Sequence, residues 1–220
     1  MTLDGGIADP FGTLGRALWI CGGQWAGKST VSRLLAYRLG ITVYHYDFHD
    51  ARAHQDRRVA HRGRKGLPVA DPDPDSVWVD TTPERMAADT IAGFPTRFEW
   101  ALDDLRALVS GRPILAEGWG LRPELVAPLL DSPRRMIVMV PTDDFREHQL
   151  RVLPRAAAVV HRVSDPERAQ HNRIERDRLV AEDAVRTAKG LGIRVLEIDG
   201  SRDAEAVADV VAEHFGPYLA

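Results

Sequence analysis

Residues 22–29 read GGQWAGKS, which matches the pattern G-x-x-x-x-G-K-S. A loop with this pattern curls its backbone N–H groups around the phosphates of a nucleotide. Gly22 and Gly27 permit the tight turn and the close approach of the backbone. Lys28 reaches the terminal phosphates, and the hydroxyl of Ser29 holds Mg²⁺. The stretch therefore predicts a phosphate-binding loop; the alternative is a glycine-rich turn with an incidental lysine.

The flanks of the loop have the required local structure. Residues 17–21 (ALWIC) form a short apolar run that is typical of a buried strand. Residues 29–39 carry apolar side chains at helical spacing, and Gly40 ends that pattern. A strand, a glycine loop and a helix in this order are the context that the phosphate loop needs.

Composition indicates an ordinary globular chain. Its 220 residues are 44% hydrophobic and 28% charged, which favours one domain. A net charge of −3 gives no overall attraction to nucleic acid or to an anionic membrane. A single cysteine, Cys21, excludes an internal disulfide and fits a reducing cytoplasm. No apolar run approaches the roughly 18 residues that span a bilayer.

The pattern of strands and helices predicts the α/β class. Strands are expected at 17–21, 41–46, 113–117, 135–140 and 193–198. Helices are expected at 28–39, 83–92, 96–110, 122–130, 143–152, 172–189 and 203–215. Alternation of this kind produces a parallel sheet with helices on both faces. Residues 1–15 read as a flexible arm that is no signal peptide, and 16–220 as one domain.

Two acidic residues follow predicted strands. Asp47 comes after the second predicted strand and Glu117 ends the third, so both are expected at the edge that carries the phosphate loop. Asp47 can align or deprotonate a hydroxyl that attacks a γ-phosphate, or it can simply cap the next helix. Glu117 can hold Mg²⁺ through water, bind substrate, or be structural. Asp50 is a weaker candidate for the role of Asp47.

Arginines on the late helix are candidates for phosphate contact. Arg173 and Arg176 are three residues apart and share one helical face. A guanidinium offers fixed donors and a permanent charge to a transferring phosphate. We expect at least one of four arginines in the site: Arg162, Arg168, Arg173 and Arg176. The alternative is a solvated helix in which these side chains pair with Glu175 and Asp177.

Two further patterns suggest less. His45 and His49 are four residues apart, which suits a metal only on a helix, so local polar packing is the better interpretation. Residues 52–66 carry six basic residues and one acid. Such a run is usually a solvated face, but beside a phosphate loop it could attract an anionic substrate.

The chain resembles the small P-loop kinases, a superfamily that includes adenylate, shikimate, gluconate and chloramphenicol kinases. The resemblance rests on GGQWAGKST at 22–30, the Asp after strand two, the EG at 117–118, the arginine-bearing helix and the closing EIDGS at 197–201. It implies a three-layer fold with a five-stranded parallel sheet in the order 2-3-1-4-5, and a lid over about residues 153–171.

The resemblance also implies roles for residues. ATP phosphates would bind to the loop between Gly22 and Thr30, including Gly23, and Ser29 would ligate Mg²⁺. Asp47 would contact the phosphoryl acceptor, lid arginines such as Arg173 would close on the phosphates, and the turn containing Gly200 would pass near the adenine.

The acceptor is not inherited from the resemblance. The segment between strands two and three is long and aromatic, and the insertion at about 48–110 is expected to bind the substrate. Candidate contacts are Asp50, Trp78, Trp100 and Trp119, the last of which could instead close the core.

The combined expectation is an ATP- and Mg²⁺-dependent kinase that moves the γ-phosphate to a hydroxyl group, or to a phosphate group, of a small molecule. It works in the cytoplasm without nucleic acid or membrane, and a homodimer is allowed. The alternatives are a nucleotide-binding regulatory ATPase or switch, and a kinase of nucleic-acid ends or transfer RNA.

Overall fold

The computed structural model describes residues 7–153 and 162–219. Its sheet has five strands: β1 (Leu18–Gly22), β2 (Thr42–His45), β3 (Ile114–Glu117), β4 (Met136–Pro141) and β5 (Arg194–Ile198). All neighbouring strands are parallel, and their order is β2-β3-β1-β4-β5. The order 2-3-1-4-5 and the five strands are therefore confirmed, each strand within one residue of its predicted start and end.

The described helices surround this sheet. They are α1 (Thr13–Arg16), α2 (Lys28–Leu39), α3 (Tyr46–Phe48), α4 (Gln55–Arg64), α5 (Pro74–Trp78), α6 (Pro83–Ala107), α7 (Pro123–Val126), α8 (Asp143–Val152), α9 (Pro166–Gly190) and α10 (Ala204–Phe215). A π-helical turn, His49–Ala53, links α3 to α4, and short 3₁₀ turns occur at Ala127–Leu129, Pro133–Arg135 and Gly216–Tyr218.

Apolar residues of β1 alternate between the two faces of the sheet. Trp19 and Cys21 join a core with α6 and α9, whereas Leu18 and Ile20 join a core with α2 and α10. Every residue of β1, β3 and β4 is buried, because helices cover both faces of a parallel sheet. The three-layer α/β class is confirmed. No helix in the described ranges is long and apolar enough to cross a membrane.

Helix α6 differs from the two helices predicted at 83–92 and 96–110. It runs without a break over Pro83–Ala107, although Pro95 lies inside it. A proline removes one backbone hydrogen bond and crowds the preceding turn. Near the proline, the guanidinium of Arg97 donates to the carbonyl groups of Thr90 (2.9 Å) and Gly93 (3.1 Å), which adds two side-chain hydrogen bonds to this part of the helix.

Two other segments differ from the sequence-based prediction, and the predicted lid is described only in part. The excursion at 48–82 contains the π-helical turn and the helices α4 and α5. Residues 7–15, predicted as a flexible arm, pack on the domain: Leu14 is buried and Asp9 accepts hydrogen bonds from the backbone of Leu14 and Gly15. Residues 154–161 of the predicted lid lie outside the described residues, and its last residues, 166–171, form the start of α9.

Candidate functional site

The phosphate loop lies between β1 and α2, and its first glycine is required by packing. Gly22 has φ 126°, and a Cβ there would lie 2.0 Å from the carbonyl oxygen of Met139 on β4. Gly23 donates its N–H to that same oxygen at 2.9 Å. Gly27 has φ 78°, but a Cβ there would meet nothing within 4 Å. Gly22 therefore serves the sheet, whereas Gly27 serves the turn into the helix.

Lys28 is the first residue of α2 and is 5% exposed. Its ammonium donates to the carbonyl oxygens of Gly23 (2.7 Å) and Gly22 (3.4 Å). A buried lysine needs such partners, because an unpaired charge is costly away from water. The loop thus holds the ammonium beside the N-terminus of α2, where the helix dipole also favours an anion.

A cleft of about 510 Å³ opens at this edge of the sheet. It brings together most of the residues that the sequence singles out: Gly27, Lys28, Ser29, Thr30, Asp47, Asp50, Trp78, Trp119, Arg173 and Arg176. It also contains Gln24 and Trp25, to which the sequence gives no role of their own within the loop, and three residues outside the predicted site: Arg33, Ala51 and Asp177. Acidic, basic and aromatic groups from five segments of the chain therefore share one cavity.

Asp47 is held at the end of β2 by the backbone that follows β3. The N–H of Trp119 donates to its Oδ1 at 3.0 Å. Gly118 makes this approach possible, since a Cβ there would lie 2.8 Å from Oδ1 and 2.6 Å from the Cβ of Tyr46. Burial raises the pKa of Asp47 to about 6; the charge of Lys28 lowers it and that of Glu117 raises it. A carboxyl group with this pKa can accept a proton near neutral pH.

Glu117 ends β3 and is 1% exposed. Its Oε1 lies 2.6 Å from Nδ1 of His45. Its Oε2 is buried, and no residue in the described ranges bonds to it. A buried carboxylate oxygen without a partner is unusual, and one that faces a hydrated cation would be satisfied. Glu117 does not line the cleft itself, so its expected role in holding Mg²⁺ through water stays a prediction.

Asp50 lines the cleft, and two arginines form ion pairs with its carboxylate. Arg58 lies 3.0 Å from Oδ1, and Arg97 lies 3.1 Å from Oδ2. Both oxygens are therefore engaged within the protein. This arrangement ties the π-helical turn to α4 and α6, and it makes Asp50 better suited to holding the cleft wall than to accepting a proton.

Helix α9 supplies cations and an acid to the opposite wall. The guanidinium of Arg176 lies between two indole rings, 5.1 Å from that of Trp78 and 5.3 Å from that of Trp119. It also bonds to the carboxylate of Asp177 at 2.7 Å. Burial raises the pKa of Asp177, while Arg176 lowers it. Arg173 lies over the ring of Trp25 at 5.9 Å.

Two buried polar residues fix α9 in this position. Asn172 donates to the carbonyl oxygens of Trp78 (3.0 Å) and Thr81 (3.2 Å), which ties α5 to α9. Arg122 is fully buried; it donates to the carbonyl of Val180 at 3.0 Å and forms an ion pair with Asp183. The cations of α9 are thus held by contacts along the whole helix.

The sequence gives no sign that Trp25 has a special conformation within the loop. It occupies the loop tip with φ 69°, a conformation that is uncommon outside glycine and often marks a functional site. Nothing in the letter pattern signals this conformation. Asp177 carries a signal in the sequence, since it lies four residues after Arg173 and so on the same helical face.

Several predicted residues lie elsewhere. Trp100 is outside the cleft, and its ring packs against those of His54 and His61. Gly200 has φ 83° and abuts the ring of Phe145, so it shapes the turn after β5. Arg162 and Arg168 are exposed and do not line the cleft.

Several cations of the basic run at 52–66 make contacts within the protein. Arg57 contacts Asp104, Arg58 contacts Asp50, and Arg62 donates to the carbonyl of Ala70. Three of its cations therefore hold α4 in place. This use of the run weakens the argument that it forms a nucleic-acid surface.

Comparisons with known proteins find distant likeness only. No family model matches the chain, and no curated protein matches it. The shikimate kinase of Aquifex aeolicus is 18% identical with a TM-score of 0.40, over 91% of this chain and 97% of that one. A gluconokinase of Sinorhizobium meliloti 1021 is 13% identical with a TM-score of 0.38, over 92% and 93%. Because both scores are below 0.5, the fold is identified by the sheet order and the phosphate loop.

Proposed function

We propose that this chain is an ATP- and Mg²⁺-dependent phosphotransferase that moves the γ-phosphate of ATP to a hydroxyl group of a small molecule. The observation that carries this proposal is the shared cleft of Asp47, Lys28 and Ser29. A carboxylate able to take a proton near neutral pH lies in the same cavity as the lysine and serine of a phosphate loop.

The roles of the residues follow from this geometry. Backbone N–H groups of the loop and the start of α2 cradle the phosphates, and Lys28 leaves the loop carbonyls to pair with the terminal phosphate. Ser29 and, through water, Glu117 hold Mg²⁺, which neutralises charge on the β- and γ-phosphate oxygens when it is bound. Arg173 and Arg176 stabilise the charge that develops on the transferring group.

Transfer itself needs one proton acceptor. The hydroxyl oxygen of the acceptor attacks the γ-phosphorus, its proton passes to Asp47, and the bond to the bridging oxygen of ADP breaks. Trp119 holds Asp47 through Oδ1, so Oδ2 is the oxygen that takes the proton. Trp78 and Trp119 contribute apolar surface to the cleft for the acceptor, and both rings also contact Arg176.

The test is ADP release from Mg²⁺-ATP with pooled acceptors: nucleosides, nucleoside monophosphates, sugars, aminoglycosides and other hydroxylated antibiotics. Asp47→Asn and Lys28→Ala are compared with two matched controls, Asp71→Asn and Lys65→Ala, both at exposed positions. We expect one pool to stimulate the parent and both controls but neither site variant. Equal stimulation of Asp47→Asn would remove the proposed proton acceptor.

A response to no pool, together with slow hydrolysis of ATP, would favour the regulatory ATPase. Strong binding of short oligonucleotides that weakens steeply with salt would favour a nucleic-acid kinase.

A further inference from the structure

A second cluster of polar side chains lies next to the cleft, between β2 and α6. It consists of His49, His54 and Asp104, which we call the histidine cluster. His49 begins the π-helical turn, His54 follows it directly, and Asp104 lies near the end of α6. One ligand atom from each side chain lies within 4.8 Å of the other two.

The spacing of these atoms suits a small divalent cation. Nδ1 of His49 lies 3.4 Å from Oδ2 of Asp104, and Nε2 of His54 lies 2.7 Å from the same oxygen. Ligands at the bond lengths of tetrahedral Zn²⁺ are about 3.3 Å apart. The first distance already agrees, and the second needs to widen by roughly half an ångström.

Neighbouring groups orient the cluster from outside. The hydroxyl of Tyr44 donates to Oδ2 of Asp104 at 3.0 Å, and the Tyr44 ring stacks on that of His49 with centroids 4.4 Å apart. The His54 side chain is 1% exposed and meets the edge of Trp100. The Tyr44 hydroxyl is a partner of the kind that positions a ligating carboxylate, and the ring contacts restrict the two imidazoles, although the buried Nδ1 of His54 has no hydrogen-bond partner in the described ranges.

One cation opposes a metal at this position. Arg57 lies 3.4 Å from Oδ1 of Asp104, but its side chain is 44% exposed and can turn into solvent. The two histidines of the cluster are neutral imidazoles when they bind a metal. Imidazole with carboxylate is a donor set that suits Zn²⁺, Cu²⁺ or Ni²⁺ rather than Mg²⁺. The cluster is therefore chemically distinct from the Mg²⁺ position beside the phosphate loop.

We propose that the histidine cluster binds one divalent transition-metal ion, with Zn²⁺ as the favoured ion. Its protein ligands are Nδ1 of His49, Nε2 of His54 and the carboxylate of Asp104, and water completes the tetrahedron. The ion fastens the π-helical turn, which carries the cleft residue Asp50, to α6. This proposal does not depend on the kinase activity.

The experiment measures Zn²⁺ binding to the untagged, chelator-treated full chain, in competition with a chromophoric zinc indicator of micromolar affinity. We expect one equivalent of Zn²⁺ in the parent. His49→Gln and Asp104→Asn should each weaken binding by at least about tenfold, because each removes a ligand. His61→Gln is the matched control, since His61 also packs on Trp100 but does not belong to the cluster, and its affinity should not change.

Loading with Co²⁺ in place of Zn²⁺ adds a second readout, the intense visible absorption of a tetrahedral site, which should be lost in His49→Gln. Circular dichroism checks the fold of each variant. If Asp104→Asn unfolds, His49→Gln decides alone, because the His49 side chain is 35% exposed and tolerates change. A parent that binds no Zn²⁺ in competition, or a His49→Gln variant that binds as tightly as the parent, would overturn the proposal and leave a purely hydrogen-bonded cluster.

Discussion

The ionised carboxylate of Asp47 should cost the protein stability, and Asp47→Asn should recover it. The pKa of Asp47 is about 6 in the folded chain, against an ordinary value of 3.8, because burial outweighs the attraction of Lys28. Because the pKa is higher in the folded state than in the unfolded state, the folded state is favoured when the carboxyl group is protonated. The protein therefore loses stability as the pH rises from about 4 through 6. One pKa unit corresponds to about 1.4 kcal/mol.

The magnitude follows from these two pKa values. Relative to a neutral side chain, Asp47 lowers the free energy of unfolding by about 3 kcal/mol at pH 8 and by about half of that at pH 5. Asn keeps an oxygen that can accept the N–H of Trp119 but carries no charge. Asp47→Asn should therefore be more stable than the parent by up to about 3 kcal/mol at pH 8, with a smaller gain at pH 5.

Urea denaturation of parent and variant at both pH values is the assay. Asp71→Asn is the matched control, since Asp71 is exposed and its charge should matter little at either pH. A gain in Asp47→Asn that is absent at pH 8, or that is the same at pH 5, would refute the reasoning. Stability gained together with lost transfer is the pattern expected of a residue kept for function.

Three further predictions concern the site and its support. Once an acceptor is identified, kcat/KM should fall about tenfold between pH 7 and pH 5 as Asp47 is protonated. Glu117→Gln should move the midpoint of that fall to lower pH, because Glu117 raises the pKa of Asp47. A midpoint that moves to higher pH would contradict the assignment of Asp47 as the proton acceptor. Arg122→Met should lower the free energy of unfolding by about 1–3 kcal/mol in urea, because Asp183 loses its buried cation and the carbonyl of Val180 loses its donor, while Arg186 still pairs with Asp183; an unchanged midpoint would show that this ion pair is dispensable. Gly120→Ala should lower the free energy of unfolding by about 1–3 kcal/mol, since its Cβ would lie 2.3 Å from a tyrosine ring. In the same assay the control Gly111→Ala, whose Cβ would meet nothing within 4 Å, should change it by less than about 0.5 kcal/mol. Equal effects of the two substitutions would mean that the ring moves aside freely.

The sheet and the phosphate loop were predictable because their signals are local. Apolar runs such as 17–21 and 135–140 predict buried strands, and the glycines with Lys28 predict the loop. Parallel strands then bring Asp47 to the same edge as that loop, whatever the details of the helices. The order of the strands came from the family resemblance rather than from any of these runs.

The continuous helix α6, the position of Trp100 and the histidine cluster depend on tertiary contacts that the sequence pattern does not reveal. Pro95 favours a helix break, yet α6 continues through it, and the hydrogen bonds from Arg97 to the nearby carbonyls of Thr90 and Gly93 are visible only in the structure. Trp100 was expected in the substrate pocket, but the phase of the continuous α6 turns it toward His54. The pairing of His54 with Asp104 joins residues 50 positions apart, which no local pattern reveals.

The most direct test of the proposed function measures three products in one reaction of Mg²⁺-ATP with the stimulating acceptor: ADP, phosphorylated acceptor and inorganic phosphate. Phosphoryl transfer that depends on Asp47 predicts equal amounts of ADP and phosphorylated acceptor in the parent and in Asp71→Asn, little inorganic phosphate, and neither transfer product in Asp47→Asn. ADP matched by inorganic phosphate, with no phosphorylated acceptor, would contradict a kinase and identify a nucleotide hydrolase instead.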